Sequence, residues 1–255
     1  NFSTDGGTIK LDGNYPTGTA NVALGDTALD SVEAGGTSNT AIGHNAGTAI
    51  TTGDGNTAVG DLALDANTTS SDNVAIGRCA LTTNITGANN VAVGSYSLRD
   101  STGSDNVAVG SGSALVNTSG TNNTAVGRQS LKCNTTGGCN AAFGSSSLSA
   151  NTTANHNTAI GHESLNKNTT GCFNQAVGSF ALGCNTEGCQ NTAMGMSALI
   201  TNTTGDNNVA IGRLALTANT TADNNTAVGM SALAVNTTGC QNVALGACSL
   251  DANVT

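Results

Sequence analysis

Asn208-Val-Ala-Ile-Gly212-Arg-Leu-Ala-Leu216-Thr-Ala-Asn219-Thr-Thr-Ala-Asp-Asn224 is one of fourteen near-copies of a single unit in this 255-residue chain. The units start at Asn21, Asn39, Asn56, Asn73, Asn90, Asn106, Asn123, Asn140, Asn157, Asn174, Asn191, Asn208, Asn225 and Asn242. Eleven of the thirteen intervals are 17 residues; the first is 18 and the fifth is 16. Self-similarity at a fixed period is the mark of a repeat architecture and precedes any local reading. Counting places from the first Asn, Ala holds the third, an aliphatic the fourth, Gly the fifth, Leu the ninth, and Asn-Thr-Thr-Gly the twelfth to fifteenth.

Seventeen residues cannot hold two packed helices, and the unit places Gly and β-branched residues where a helix disfavours them. Each unit reads instead as a short strand over the first four places, a Gly turn, a second short strand around the Ala/Ser-Leu pair, and a polar corner. The predicted fold is all-β: a parallel β-solenoid, or β-roll, of about fourteen 17-residue coils over residues 21–255. At about 4.8 Å per coil the stack would be roughly 67 Å long. Residues 1–20 do not fit the unit, and Gly6 to Gly13 reads as a cap on the first coil or as a linker. The chain begins at Asn1 and stops five residues after Leu250, within a unit, so the repeat is expected to belong to a longer precursor or fibre chain.

Outside the period, composition removes function classes. Only 9% of residues are charged, and 2% are aromatic. The net charge is −9 with seven Lys and Arg, which leaves no basic groove for a phosphate backbone. No apolar run approaches the roughly 20 residues of a membrane-spanning helix. No nucleic-acid partner and no membrane insertion are therefore expected.

Each coil offers about two large apolar side chains, worth about 1.5–3 kcal/mol each on burial. Ordering costs about 1.5 kcal/mol per residue. Backbone ladders, stacked Asn and Thr, and a second buried surface are expected to supply the difference. Alternation along the first strand puts the fourth-place aliphatic on one face and the third-place Ala on the other. The coil interior is predicted to hold Ile76, Leu81, Val126, Leu131, Ile160, Leu165, Ile211, Leu216, Val228 and Leu233. The small residues Ala75, Ala125, Ala159, Ala193, Ala210 and Ala227 are predicted to form a flat stripe where another chain packs. The alternative is an inward-facing alanine and a monomer.

At these residues the chain resembles two related groups. Asn56-Thr-Ala-Val-Gly60 and Asn73-Val-Ala-Ile-Gly77 are similar to the head repeats of trimeric autotransporter adhesins, which have a shorter period. The longer unit, as in Asn191-Thr-Ala-Met-Gly195-Met-Ser-Ala-Leu199-Ile-Thr-Asn202-Thr-Thr-Gly205, looks like repeats of phage tail-fibre-like proteins. The resemblance covers residues 21–255 and implies parallel β-rolls assembled three to a bundle, on a cell surface or virion.

Candidate chemistry is sparse. His44, His156 and His162 with Glu163 match no metal-ligand spacing. No catalytic constellation is present, and a hexapeptide-repeat acyltransferase does not fit because its coils have three six-residue faces. Asp72, Asp105, Asp206 and Asp223 sit at corners without the multi-carboxylate pattern of a Ca²⁺ site. Asn67, Asn134, Asn151, Asn168, Asn202, Asn219 and Asn236, with variants at Asn84 and Asn117, read as turn and ladder residues or as glycosylation sequons. Of eight cysteines, Cys133 with Cys139 and Cys184 with Cys189 flank equivalent corners and could staple their own loops. Alternatively Cys172, which shares the sixteenth place with Cys189, would reach it across consecutive coils. Free thiols are the third option.

Irregular units cluster early: the first is lengthened around Val32 to Gly36, and the second has Gly47 in place of Leu. The sixth reads as carrying an extra residue before Leu115. Loops at 31–38 or 44–54 are the candidate specialised binding loops.

The expected function is structural and adhesive: a homotrimeric, extracellular fibre segment of a phage-like tail fibre or adhesin shaft. It requires no cofactor, is not an enzyme, and meets a surface glycan or host receptor. The alternative is a monomeric ice- or glycan-binding solenoid that uses stacked Thr rows.

Overall fold

The computed structural model describes residues 18–254, in two compact units that divide between Ser119 and Gly120. Most of the predicted cap over residues 1–20 lies outside the described residues. Every strand is three residues long and occupies the second to fourth places. The first unit holds β1 (Val22–Leu24), β2 (Thr40–Ile42), β3 (Thr57–Val59), β4 (Val74–Ile76), β5 (Val91–Val93) and β6 (Val107–Val109). The second holds β7 (Thr124–Val126), β8 (Ala141–Phe143), β9 (Thr158–Ile160), β10 (Gln175–Val177), β11 (Thr192–Met194), β12 (Val209–Ile211), β13 (Thr226–Val228) and β14 (Val243–Leu245).

Within each unit every strand pairs in parallel with the next, place for place. Ala75 lies opposite Ala92 in the first unit and Ala210 opposite Ala227 in the second. No helix occurs among the described residues. The chain is an all-β, parallel β-solenoid.

The expected second strand does not form. After the fifth-place Gly the backbone passes through turns in which the seventh and ninth places are left-handed, as at Glu163 (φ 53°) and Leu165 (φ 49°). Stacking persists regardless: the Leu165 N–H donates to the Ala181 carbonyl of the next coil at 3.0 Å. Gly is required at the fifth place. Gly161 has φ +130°, and a Cβ there would sit 2.7 Å from both the carbonyl carbon and the oxygen of Gly178.

The sidedness of the strand is the reverse of the prediction. Ala75, Ala125, Ala159, Ala193, Ala210 and Ala227 are wholly buried within the single chain, so they are core and cannot be a chain interface. The fourth-place residues turn outward: Ile76, Ile160 and Ile211 are about 40% exposed, and Val126 and Val228 are half-buried. Leu81, Leu131, Leu165, Leu216 and Leu233 are fully buried. The reason is room. A Cβ at Gly47, in the ninth place of its coil, would lie 3.8 Å from the Ala41 Cβ in the third place. The ninth-place leucine therefore fills the interior against the third residue, and only a methyl fits opposite it.

Two rows of Asn, buried except in the last coil, where Asn242 is half-buried, complete the interior. In the second unit Asn140, Asn157, Asn174, Asn191, Asn208, Asn225 and Asn242 each donate their backbone N–H to the side-chain oxygen of the Asn one coil before, at 2.9–3.0 Å. In the twelfth-place row the amides of Asn151, Asn168, Asn185, Asn202 and Asn219 donate to the preceding Asn at 2.7–3.0 Å. These buried amides satisfy polar atoms that a narrow coil cannot expose to water.

The irregular coils stay in register by substitution. In the second coil a Cβ at Gly47 would meet the Ile50 Cδ1 at 3.0 Å, so Ile50 fills the space a leucine holds elsewhere. Val32 and Ile50 are buried at the twelfth place, where later coils carry Asn. In the sixth coil there is no extra residue before Leu115: Ala114 takes the buried, left-handed ninth place (φ 45°), and Leu115 sits half-buried at the tenth.

Candidate functional site

Alternation sends the second and fourth places of every strand outward, and these two positions build the principal surface of each unit. At the fourth place the second unit presents Val126, Phe143, Ile160, Val177, Met194, Ile211, Val228 and Leu245. Phe143, Ile160 and Met194 are 40–44% exposed in a stacked parallel sheet whose rows are about 4.8 Å apart. The second place adds Thr or Val in most coils, and no charged residue occurs at either place in any of the fourteen. Each unit thus carries an uncharged strip with an apolar spine.

The corner builds a second surface. Thirteenth-place Thr hydroxyls are consumed inside the ladder: Thr135, Thr152, Thr169, Thr186 and Thr203 each donate to the same-place carbonyl one coil on, at 3.0–3.1 Å. The fourteenth-place Thr136, Thr153, Thr170, Thr204, Thr221 and Thr238 are exposed, with Glu187 interrupting the row. The adjacent threonines have therefore taken separate tasks.

Sixteenth-place side chains lean onto the preceding coil. The N–H of Cys172 donates to the Cys189 Sγ at 3.1 Å, and the N–H of Cys189 to the Asp206 Oδ1 at 2.6 Å. The N–H of Asp206 donates to the Asp223 Oδ1 at 2.7 Å, and that of Asp223 to the Cys240 Sγ at 3.4 Å. Asp206 and Asp223 are thus rungs that accept backbone N–H groups. Asp72 and Asp105, each the last residue of its coil, have left-handed backbone.

All eight cysteines are free. Neither Cys133 with Cys139 nor Cys184 with Cys189 is bonded, and the Lys167 Nζ lies 3.9 Å from the Cys184 Sγ. Between Cys184 and Cys189 lies a tight corner in which the buried Asn185 amide donates to the Gly188 carbonyl at 2.9 Å. Lys167 and Cys184, with Glu163, Phe180 and Ile200, line a notch of about 170 Å³ that opens where Gly183 leaves the tenth-place row without a side chain. That is below the roughly 300 Å³ at which small-molecule pockets begin.

The histidines are scattered. The His44 Nδ1 meets the Asp61 Oδ1 at 2.9 Å. His156 stacks on Phe173 with centroids 4.9 Å apart, while His162 meets the edge of Phe180 at 5.3 Å and lies 3.7 Å from Glu163. Among the described residues no three His, Cys, Asp or Glu gather as metal ligands. Asn67, Asn84, Asn117, Asn134, Asn151, Asn168, Asn202, Asn219 and Asn236 are fully buried, so the folded chain hides every one of these sequon amides. Burial pushes the Asp65 carboxyl up from its ordinary value near 3.8; backbone N–H groups oppose the shift, and nearby Asp61 adds to it.

Sequence reasoning missed the apolar strip because it placed those side chains inside. One signal in the sequence was available: the fourth place tolerates Phe143, Met194 and Val109 alike, a size range that a close-packed interior resists. No helix among the described residues is long and apolar enough to cross a membrane. Comparison with known proteins finds no matching family model, curated protein or solved structure.

Proposed function

We propose that this chain is a segment of a homo-oligomeric extracellular fibre, of the kind found in phage-like tail fibres or cell-surface adhesin shafts. Three copies pack through the second- and fourth-place strips, and the assembly serves attachment to a host or surface. The observation that carries the reading is the uncharged strip, repeated in every coil and open on the single chain. Its lack of charge suits a second copy of the same strip, and ordered backbone and Asn ladders suit a structural shaft. The resemblance to adhesin and tail-fibre repeats points the same way. A surface glycan or host receptor is the expected external partner.

The test is solution mass by light scattering on the purified chain and on the variant Ile160→Asp/Ile211→Asp. A mass near three chains for the parent and one chain for the variant, with matching circular dichroism, is the expected result. A parent mass of one chain at high concentration would overturn the fibre reading. A monomeric ice- or glycan-binding solenoid is the second reading, favoured by the exposed fourteenth-place Thr row. It predicts inhibition of ice recrystallisation by the monomer, or capture on a glycan array, either of which is lost when Thr153 and Thr170 are replaced by bulkier residues.

A further inference from the structure

Of the eight cysteines, Cys172 and Cys189 alone share a place in consecutive coils. Their backbones are tied together on both sides. The N–H of Gln190 donates to the Cys172 carbonyl at 3.0 Å, and the N–H and Oγ1 of Thr169 both reach the Thr186 carbonyl, at 2.9 and 3.0 Å. In-register stacking sets the two Cα atoms about 4.8 Å apart. That lies within the roughly 4.4–6.8 Å that a disulfide spans. The Cys189 thiol already leans over its partner, with its sulfur 3.1 Å from the Cys172 nitrogen. Both side chains are partly exposed, so a small reagent reaches them.

We propose that Cys172 and Cys189 form a redox site that takes a low-molecular-weight disulfide and closes into a cross-link between two coils. One thiolate attacks the small disulfide, forming a mixed disulfide and releasing one small thiol. The second thiolate then attacks the protein sulfur, the Cys172–Cys189 bond forms, and the second small thiol leaves. Two cysteine S–H bonds are lost, the reagent is reduced to two thiols, and the two protons pass to them. To close, the Cys172 Sγ rotates away from the Asn155 N–H that it accepts at 3.3 Å. Oxidation therefore exposes that one amide while it pins the corner above it. This inference does not depend on the fibre reading, since it concerns a single chain.

The experiment equilibrates the full chain carrying Cys184→Ser in glutathione buffers from reducing to oxidising, then alkylates it in denaturant. Digestion after glutamate cuts at Glu187, between the two cysteines, and leaves Cys172 as the only cysteine of its peptide. The expected result is one linked peptide pair, about 2 Da lighter than the sum of its thiol forms. The remaining cysteines, Cys240 among them, are alkylated, and hydrogen exchange at Asn155 is faster in the oxidised form. Adding Cys189→Ser should abolish the link. Full alkylation in the most oxidising buffer, a stalled glutathione adduct on either cysteine, or a link to another cysteine would each overturn the proposal.

Discussion

Asn208 and Asn219, the first and twelfth residues of one coil, converge on a single buried acceptor: their side-chain amides both donate to the Ala222 carbonyl, at 2.8 and 3.0 Å. This joint closes the coil, and each Asn also ties its coil to a neighbour. Asn208 accepts the Asn225 N–H at 3.0 Å, and Asn219 donates to the Asn202 Oδ1 at 2.9 Å. Replacing either with Ala leaves the carbonyl one donor, whereas replacing both orphans it. We expect each single variant to cost about 1–3 kcal/mol, and the double variant to exceed their sum by about 1–3 kcal/mol, the cost of an unsatisfied buried group. Urea unfolding of the four proteins measures this, and simple additivity would show that the acceptor is not shared.

The ninth-place leucine is held at positive φ, where a β-branched residue is strained. Leu165→Ala should cost about 2–5 kcal/mol for the cavity it leaves. Leu165→Val removes one methylene yet must adopt the same backbone, so we expect a cost of about 2 kcal/mol or more. A loss below about 1 kcal/mol would indicate that the backbone relaxes.

Gly161→Ala tests the fifth place. Its methyl would meet the Gly178 backbone at 2.7 Å in a conformation unfavourable to L-residues. The expected loss is at least about 2 kcal/mol by thermal or urea unfolding. At Gly171 a Cβ would lie 2.3 Å from the Gly188 carbonyl oxygen, but the backbone there is not left-handed and Ala154 and Ala222 hold the same fifteenth place in other coils, so Gly171→Ala should be milder through a shift of that carbonyl.

Neighbouring residues of one strand should respond oppositely. Ala210 is fully buried and Ile211 is 38% exposed. Ala210→Leu should overpack the interior and destabilise the single chain by about 1–3 kcal/mol. Ile211→Ser should change its stability by no more than about 0.5 kcal/mol, measured at concentrations where the chain is monomeric. Equal effects would contradict the outward placement of the fourth residue.

Asp65 has a half-buried side chain whose Oδ1 is enclosed and unbonded. Its folded pKa lies above the ordinary 3.8, so the fold prefers the protonated acid. That preference is fully present below pH 3.8 and is lost as pH rises through the folded pKa, which leaves an unfavourable charge at neutral pH. Asp65→Asn should therefore raise the urea midpoint at pH 7, and the advantage should shrink as pH falls toward 3.8. An advantage that grows on acidification would reverse the sign.

The 17-residue period, the parallel stacking, the position of the strand and the Asn rows were legible in the sequence. Identical units stacked in register give each backbone group and each Asn an identical partner one coil away, so periodicity alone determines them. Which strand face turned inward was decided only by the tertiary structure. Alternation along Val209-Ala210-Ile211 defines two faces without ranking them, and ranking by size put Ile211 inside. The ranking failed because Leu216, aimed inward by its left-handed backbone, and the amides of Asn208 and Asn219 already fill the narrow coil and leave space for a methyl. Those left-handed positions were themselves illegible. Glu163, Phe180 and the leucines are not residues that seek positive φ, and hydrogen bonds to neighbouring coils hold them there.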